Sequence, residues 1–390
     1  MRGISFYIVF GWILLFGCCG LAAGQVVSGV ERSDVYLPMC QGKRVGVVAN
    51  RASVVHGVNT VDTLIAMGCE VVKIFSPEHG FRQQVGAGEL VENNTDSMSG
   101  VEIVSLYGKN RKPSQEHLEG VDLVVFDIQD VGVRFYTYIS TLSYVMEACA
   151  EAGIPVLVLD RPNPNGFYID GPVLDPRFSS FVGLHPVPVV YGMTIGEYAL
   201  MVNGEGWLKD GIRCELEVVP LENWTHHTFI EIPEPPSPNL PTLNAIYLYP
   251  SLCFFEGTDI SIGRGTCYPF EVFGHPVMKG FSFSFTPVSM PGKSLHPPHE
   301  GALCLGLDLR DFYVTHPAMF GRINLSWLMM AFKNLGSSQD FFTAYFDKLS
   351  GTDSLRKQIL NGSTEKEIRQ SWQKDIEAFK SVRMKYLMYD

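Results

Sequence analysis

The sequence predicts an α/β protein built around a parallel sheet, and three observations lead there. Five apolar runs, at residues 44–50, 70–76, 101–107, 121–127 and 154–160, are rich in β-branched residues without alternation, as in strands buried on both faces. The intervening stretches are long enough for crossovers, and residues 58–68 and 137–153 carry helical patterns. Four of the runs also end in polar groups that a sheet does not need: Asn50-Arg51, Ser76-Pro77-Glu78-His79, Asp127-Ile128-Gln129-Asp130 and Asp160-Arg161-Pro162-Asn163. Ligands of open parallel sheets bind outside the carboxyl ends of the strands, so this shared edge is the expected active site.

Length and composition set the frame. With 390 residues, 46% of them hydrophobic, the chain can bury a large core divided between two domains. Arg2, the apolar run Ile4 to Phe16 and the small residues after it match a secretory signal peptide, expected over residues 1–24. Two processing routes stay open: ordinary cleavage after Ala22-Ala23-Gly24, or acylation of Cys18 after a lipobox-like Leu15-Phe16-Gly17. Either gives an exported protein, periplasmic, secreted or lipid-anchored at the outer membrane. Removing residues 1–24 takes away Arg2 and moves the formal charge from −11 to about −12. An acidic chain without a basic cluster is a poor nucleic-acid binder. Seven cysteines follow the signal, an odd number without a CxxC pair, which disfavours a four-cysteine zinc site.

Beyond the fifth strand, the turn-rich Pro162-Asn163-Pro164-Asn165-Gly166 places a domain boundary near residue 170, giving domains 25–170 and 171–390. Residues 194–203 read as a helix with Thr194 as N-cap and Glu197 completing a capping box, and residues 214–220 as a strand. The proline-rich stretch 232–241 is either a rigid connector or a fixed cleft wall. Residues 364–386 show one amphipathic helical pattern.

Several clusters carry chemistry. Glu78 and His79, directly after a buried strand, are placed for proton transfer, with Arg82 following. Asp127, Gln129 and Asp130 precede Arg134, Tyr136 and Tyr138. The arginine suits an anionic group as a bidentate fork, and the tyrosines suit a sugar ring. An ordinary Asp130–Arg134 ion pair at i, i+4 is the plain alternative. Asp160, Arg161, Asn163 and Asn165 suit hydroxyl recognition or a rigid turn. Glu256 and Arg264 sit beside glycines that permit close backbone approach.

Other sites are disfavoured. No GxGxxG follows the first strand, so no nicotinamide cofactor is expected; a P-loop and a GxSxG elbow are also missing. His296-Pro297-Pro298-His299-Glu300 lacks helical ligand spacing, and no obligatory metal or cofactor is expected.

The segments SPEHGFR (76–82), VDLVVFDIQDVGVRFYTYISTL (121–142), VLDRPNPNG (158–166), PVPVVYGMTIGE (186–197), PSPNLPT (236–242) and FEGTDISIGRGTCYPFEVFGHP (255–276) resemble, in this order, the NamZ-type exo-β-N-acetylmuramidase family. That bacterial family was long catalogued as a domain of unknown function. The resemblance extends to SWQKDIEAFKSVRMKYLMY (371–389). It implies a Rossmann-like N-terminal domain, a smaller C-terminal α/β domain and a cleft between them. It also implies release of N-acetylmuramic acid from non-reducing ends of peptidoglycan fragments, with Glu78 of the EHG motif as catalytic residue. The chain departs from the family pattern at Gln83-Gln84, where a glycine-rich continuation is usual. Glycoside hydrolysis usually needs a second carboxylate. Asp127 and Asp130 are the first candidates and Glu256 another, unless the substrate's N-acetyl group acts in that place. Arg134 or Arg264 would read the lactyl carboxylate. A wall-sugar deacetylase or esterase, and a non-catalytic muropeptide-binding protein, stay open as alternatives.

Overall fold

A computed structural model describes residues 24–82 and 93–390. The expected signal segment, Cys18 and the departure at Gln83-Gln84 lie outside the described residues. The chain first forms helix α1 (Ser33–Cys40), strand β1 (Arg44–Ala49), a small hairpin of β2 (Val54–Val55) and β3 (Val58–Asn59), helix α2 (Thr60–Ala66) and β4 (Glu70–Ser76). It continues through β5 (Asn94–Thr95), β6 (Glu102–Ser105), α3 (Gln115–Leu118), β7 (Leu123–Asp127), α4 (Tyr138–Ala152), β8 (Val156–Leu159), α5 (Ile195–Gly204) and β9 (Leu216–Val219).

Seven strands form one sheet in the order β5-β6-β4-β1-β7-β8-β9, parallel throughout except for the β5–β6 pair. Numbered among themselves, the six parallel strands run 3-2-1-4-5-6, the Rossmann order, with its reversal between β1 and β7. Register aligns the carboxyl ends: Ala49 opposes Asp127, and Val48 opposes Phe75. The lack of alternation has a direct cause, because successive residues of one strand enter two cores. Val124 and Phe126 of β7 pack with Leu142 and Met146 of α4, whereas Leu123 and Val125 pack with Tyr36 of α1 and Leu64 of α2.

The sheet runs past the boundary expected near residue 170. β9 pairs with β8, and α5 is N-capped by Thr194, whose hydroxyl accepts from Glu197 N while the Glu197 carboxylate returns to Thr194 N. After helix α6 (Leu243–Leu252), a smaller unit forms around a three-stranded antiparallel sheet, β10 (Val272–His275), β12 (Cys304–Asp308) and β11 (Phe283–Phe285). Helices cover it, and Phe254, Phe273, Trp327 and Phe346 join the same apolar cluster as α4 and α5. The expected helix over 364–386 is two, Glu365–Ser371 and Gln373–Arg383, separated at buried Trp372 where ψ rises to −3°. The chain then returns to the large sheet: Tyr389 donates to Asp160, and Met388 N to Glu197. Among the described residues no helix is long and apolar enough to cross a membrane.

Candidate active site

The polar groups at the strand ends separate into two sets. The first is buried and hydrogen-bonded within the protein itself. Asp127, fully buried at the end of β7, receives Arg161 through Nε at 2.5 Å and Nη2 at 2.9 Å, and the Thr60 hydroxyl besides. Its backbone carbonyl accepts from Ser53 Oγ. Asn50 donates to Tyr138 Oη at 2.8 Å and accepts from Ala52 N. Asp160 accepts from Thr194 Oγ1, Gly196 N, Tyr389 Oη and Arg161 N, and burial still pushes its carboxyl up to about 7. Gln129 donates to the carbonyls of Asp130 and Pro162. Asn163 and Asn165 tie the turn after β8 to Met193 and Val131. These residues build the edge of the sheet.

Asp130 and Arg134 do not pair. Asp130 turns to Gly132 N at 2.7 Å and to the Tyr191 hydroxyl, while its Oδ1 has no hydrogen-bond partner among the described residues. Burial raises this carboxyl to about 6. Arg134 is fully buried and donates to the carbonyls of Pro172, Val187 and Leu349, joining the large sheet's loops to the smaller unit. Burial lowers its pKa from the ordinary value. Its Nε has no partner among the described residues but is sealed from solvent, so no guanidinium edge reaches a ligand in the cleft. Arg82 bridges Asp62 and Asp96, holding the latter carboxyl down to about 2, and exposed Arg51 lies 3.9 Å from Glu234.

The second set faces a cleft of about 550 Å³ between the two units. Glu78 and His79 enter it from the end of β4. The chain turns sharply there: Gly80 N donates to the Pro77 carbonyl, and His79 and Gly80 both take the left-handed region, at φ 74° and 80°. A non-glycine residue held there is strained, a feature that concentrates at functional sites. Glu78 Oε2 accepts from Thr137 Oγ1 at 2.9 Å, so the residue before α4 orients the carboxylate. Glu256 enters from the smaller unit, in the short helical turn Cys253–Gly257. Arg264 donates to its Oε1 from Nε at 2.8 Å and Nη2 at 2.5 Å, and stacks 5.0 Å above Phe270. Burial opposes the charge on Arg264, but the Glu256 carboxylate outweighs it and leaves the pKa above ordinary. Gly265 is required beside it, since a Cβ there would meet the Val288 carbonyl at 2.5 Å.

The proline-rich stretch is a cleft wall. Ser237, Asn239 and Leu240 line the cavity, and the Pro236 carbonyl accepts from Tyr136 at 2.8 Å and Tyr138 at 3.0 Å. Tyr136 lines the cleft, while Tyr138 lies behind it against Asn50. Sequence reading missed Arg111, Phe181, Tyr249, Lys293 and Tyr345, which also line the cavity. Tyr249 comes from α6 and the others from separated segments, and only the glycine and proline punctuation around 291–301 marks one of those segments as a candidate.

Comparison with known proteins follows the same division. Residues 45–244 match the N-terminal domain of exo-β-N-acetylmuramidase NamZ, and residues 247–389 match its C-terminal domain. The chain is 40% identical over 378 residues to the peptidoglycan β-N-acetylmuramidase NamZ of Bacillus subtilis strain 168, covering 91% of this chain and 89% of that protein. Two crystal structures of DUF1343 family proteins from Bacteroides fragilis NCTC 9343 share the fold. One is 46% identical with a TM-score of 0.86, the other 29% identical with a TM-score of 0.78, and each comparison covers 94% of this chain and 99% of that one. The chain belongs to the exo-β-N-acetylmuramidase NamZ family.

Proposed function

We propose that the protein is a glycoside hydrolase that releases N-acetylmuramic acid from the non-reducing ends of peptidoglycan fragments. The observation that carries this reading is the meeting of Glu78 and Glu256 in one aromatic-walled cleft, within a chain of this family. Glu78, oriented by Thr137, serves as general acid/base at the glycosidic oxygen. Glu256, fixed by Arg264, is the second carboxylate; it supports the sugar's oxocarbenium-like transition state or a water attacking it. Asp127 and Asp130 are outside the lining of the cleft and do not take that part.

Muramic acid differs from N-acetylglucosamine by a lactyl carboxylate. Since Arg134 is buried on carbonyls and Arg264 is engaged by Glu256, that carboxylate falls to Arg111, Lys293 and Lys348, three further cations of the cleft in an otherwise acidic chain. The Lys293 loop is tied down by Asn239, whose Nδ2 donates to the Lys293 carbonyl at 2.9 Å.

The test is product analysis of a disaccharide with N-acetylmuramic acid at its non-reducing end. Free N-acetylmuramic acid is the expected product. Acetate release with the disaccharide still joined would replace this reading by a deacetylase. We also place the protein outside the cytoplasm, on the signal-like residues 1–24; finding the full-length chain, leader uncleaved, in the cytoplasmic fraction of its host would refute that.

A further inference from the structure

Three side chains that are separated in sequence converge in the smaller unit. Asp259 follows the turn that carries Glu256, His275 ends β10, and His299 follows the cleft residues His296 and Pro298. The Nε2 atom of His275 lies 3.1 Å from Asp259 Oδ2, and that of His299 lies 3.6 Å from Asp259 Oδ1. One ligand atom from each residue falls within 4.8 Å of the others, and the two imidazole rings meet edge to face at 4.4 Å between centroids. We propose that Asp259, His275 and His299 bind a divalent transition-metal ion of the Zn²⁺ kind.

The geometry suits such an ion. Metal–ligand bonds of about 2.0–2.1 Å in a tetrahedral site separate neighbouring ligand atoms by about 3.3 Å, and the two imidazole nitrogens lie 3.1 Å and 3.6 Å from the two different oxygens of Asp259. Two imidazoles with one carboxylate select a borderline ion over Mg²⁺ or Ca²⁺, which prefer oxygen. The side chain of Asp259 is 72% exposed, leaving an open approach and room for water as a further ligand. His299 sits at φ 59°, so the backbone is held in an unfavoured region where its imidazole points to the cluster.

Ligation changes three contacts. The proton between His275 Nε2 and Asp259 Oδ2, 3.1 Å apart, is lost as the ion takes its place. His299 Nε2 leaves the Asp259 carbonyl, now 2.5 Å away. Val277 N–H gives up His275 Nδ1, at 3.2 Å, because an imidazole bound through Nε2 carries its proton on Nδ1. The ion takes no part in the reaction. It clips together three segments whose other residues, Glu256 and His296 among them, line the cleft.

The experiment is calorimetric titration of Zn²⁺ into chelator-stripped full-length mature protein, with thermal unfolding in parallel. Wild type should bind one ion saturably and gain unfolding temperature. His275→Ala and His299→Asn should each weaken binding at least tenfold; asparagine tolerates the left-handed backbone, which keeps the second variant folded. His316→Ala, an exposed histidine elsewhere, should bind as wild type does. Equal binding by wild type and both cluster variants, or no saturable binding by wild type, would overturn the proposal and leave Asp259 as the hydrogen-bonded hub of two imidazoles.

Discussion

The strand-end network and the cleft lie at the same edge of one sheet and are made of the same residue types, yet they are organised in opposite ways. Around Asp127 and Asp160, hydrogen bonds from Arg161, Thr60, Thr194, Gly196 and Tyr389 saturate the carboxylates, and the groups are sealed from solvent. Around Glu78 and Glu256, the carboxylates are oriented by Thr137 and by Arg264 with Cys253, and both face a cavity large enough for a sugar. A polar residue at a strand end is thus only half of a functional signal. What decides is whether the group is sealed inside the protein or faces a cavity.

Three substitutions sharpen this contrast. The largest effect is expected at Asp127. Asp127→Ala strands the Arg161 guanidinium in the interior, and breaking a buried pair from one side costs about 3–5 kcal/mol. Denaturant unfolding measures it, and a loss under about 1 kcal/mol would contradict a structural role.

Asp130 offers a smaller, pH-dependent effect. Its carboxyl has an ordinary value of 3.8 and is raised by burial to about 6 in the folded protein. A raised folded value means that its contribution to stability is complete below about pH 4 and is lost as the pH climbs through 6. Asparagine keeps an acceptor for Gly132 and Tyr191 without the charge. Asp130→Asn should therefore gain stability relative to wild type between pH 4 and 7, by up to roughly 3 kcal/mol. A constant difference across that range would show that Asp130 does not titrate there.

The smallest effect concerns the cleft cations. Lys293→Ala should reduce kcat/KM on an aryl β-N-acetylmuramide about tenfold, the loss of ~1.4 kcal/mol of charge-assisted contact, and leave unfolding unchanged. An unaltered preference for the muramide over the glucosaminide would remove Lys293 from carboxylate recognition.

Much of the fold is legible in the sequence because the buried parallel strands are continuous β-branched runs, and all five appear as β1, β4, β6, β7 and β8. The two-residue β5 has no such signal. The first unit also extends further than the turn at 162–166 suggests: residues 214–220 read as a strand, but only the pairing of β9 with β8 shows that it belongs to the large sheet. At the site, Glu78 is visible because a carboxylate and an imidazole follow a strand at once. Arg134 misleads for a physical reason: a guanidinium that satisfies three carbonyls looks, in sequence, like one that awaits a carboxylate. Lys293 and His299 lie in a glycine- and proline-marked stretch without helical ligand spacing, and His275 has no local signal, since only the packing of the smaller unit brings them beside the residues they meet.

The central claim is that the cleft, through Glu78, carries the chemistry. Its most direct test is hydrolysis of an aryl β-N-acetylmuramide by wild type and Glu78→Gln, each checked for the same unfolding temperature. The account predicts turnover by wild type and a loss of about 10²–10⁴-fold in the variant, the usual contribution of a positioned acid or base. Turnover by Glu78→Gln within a few-fold of wild type would contradict it.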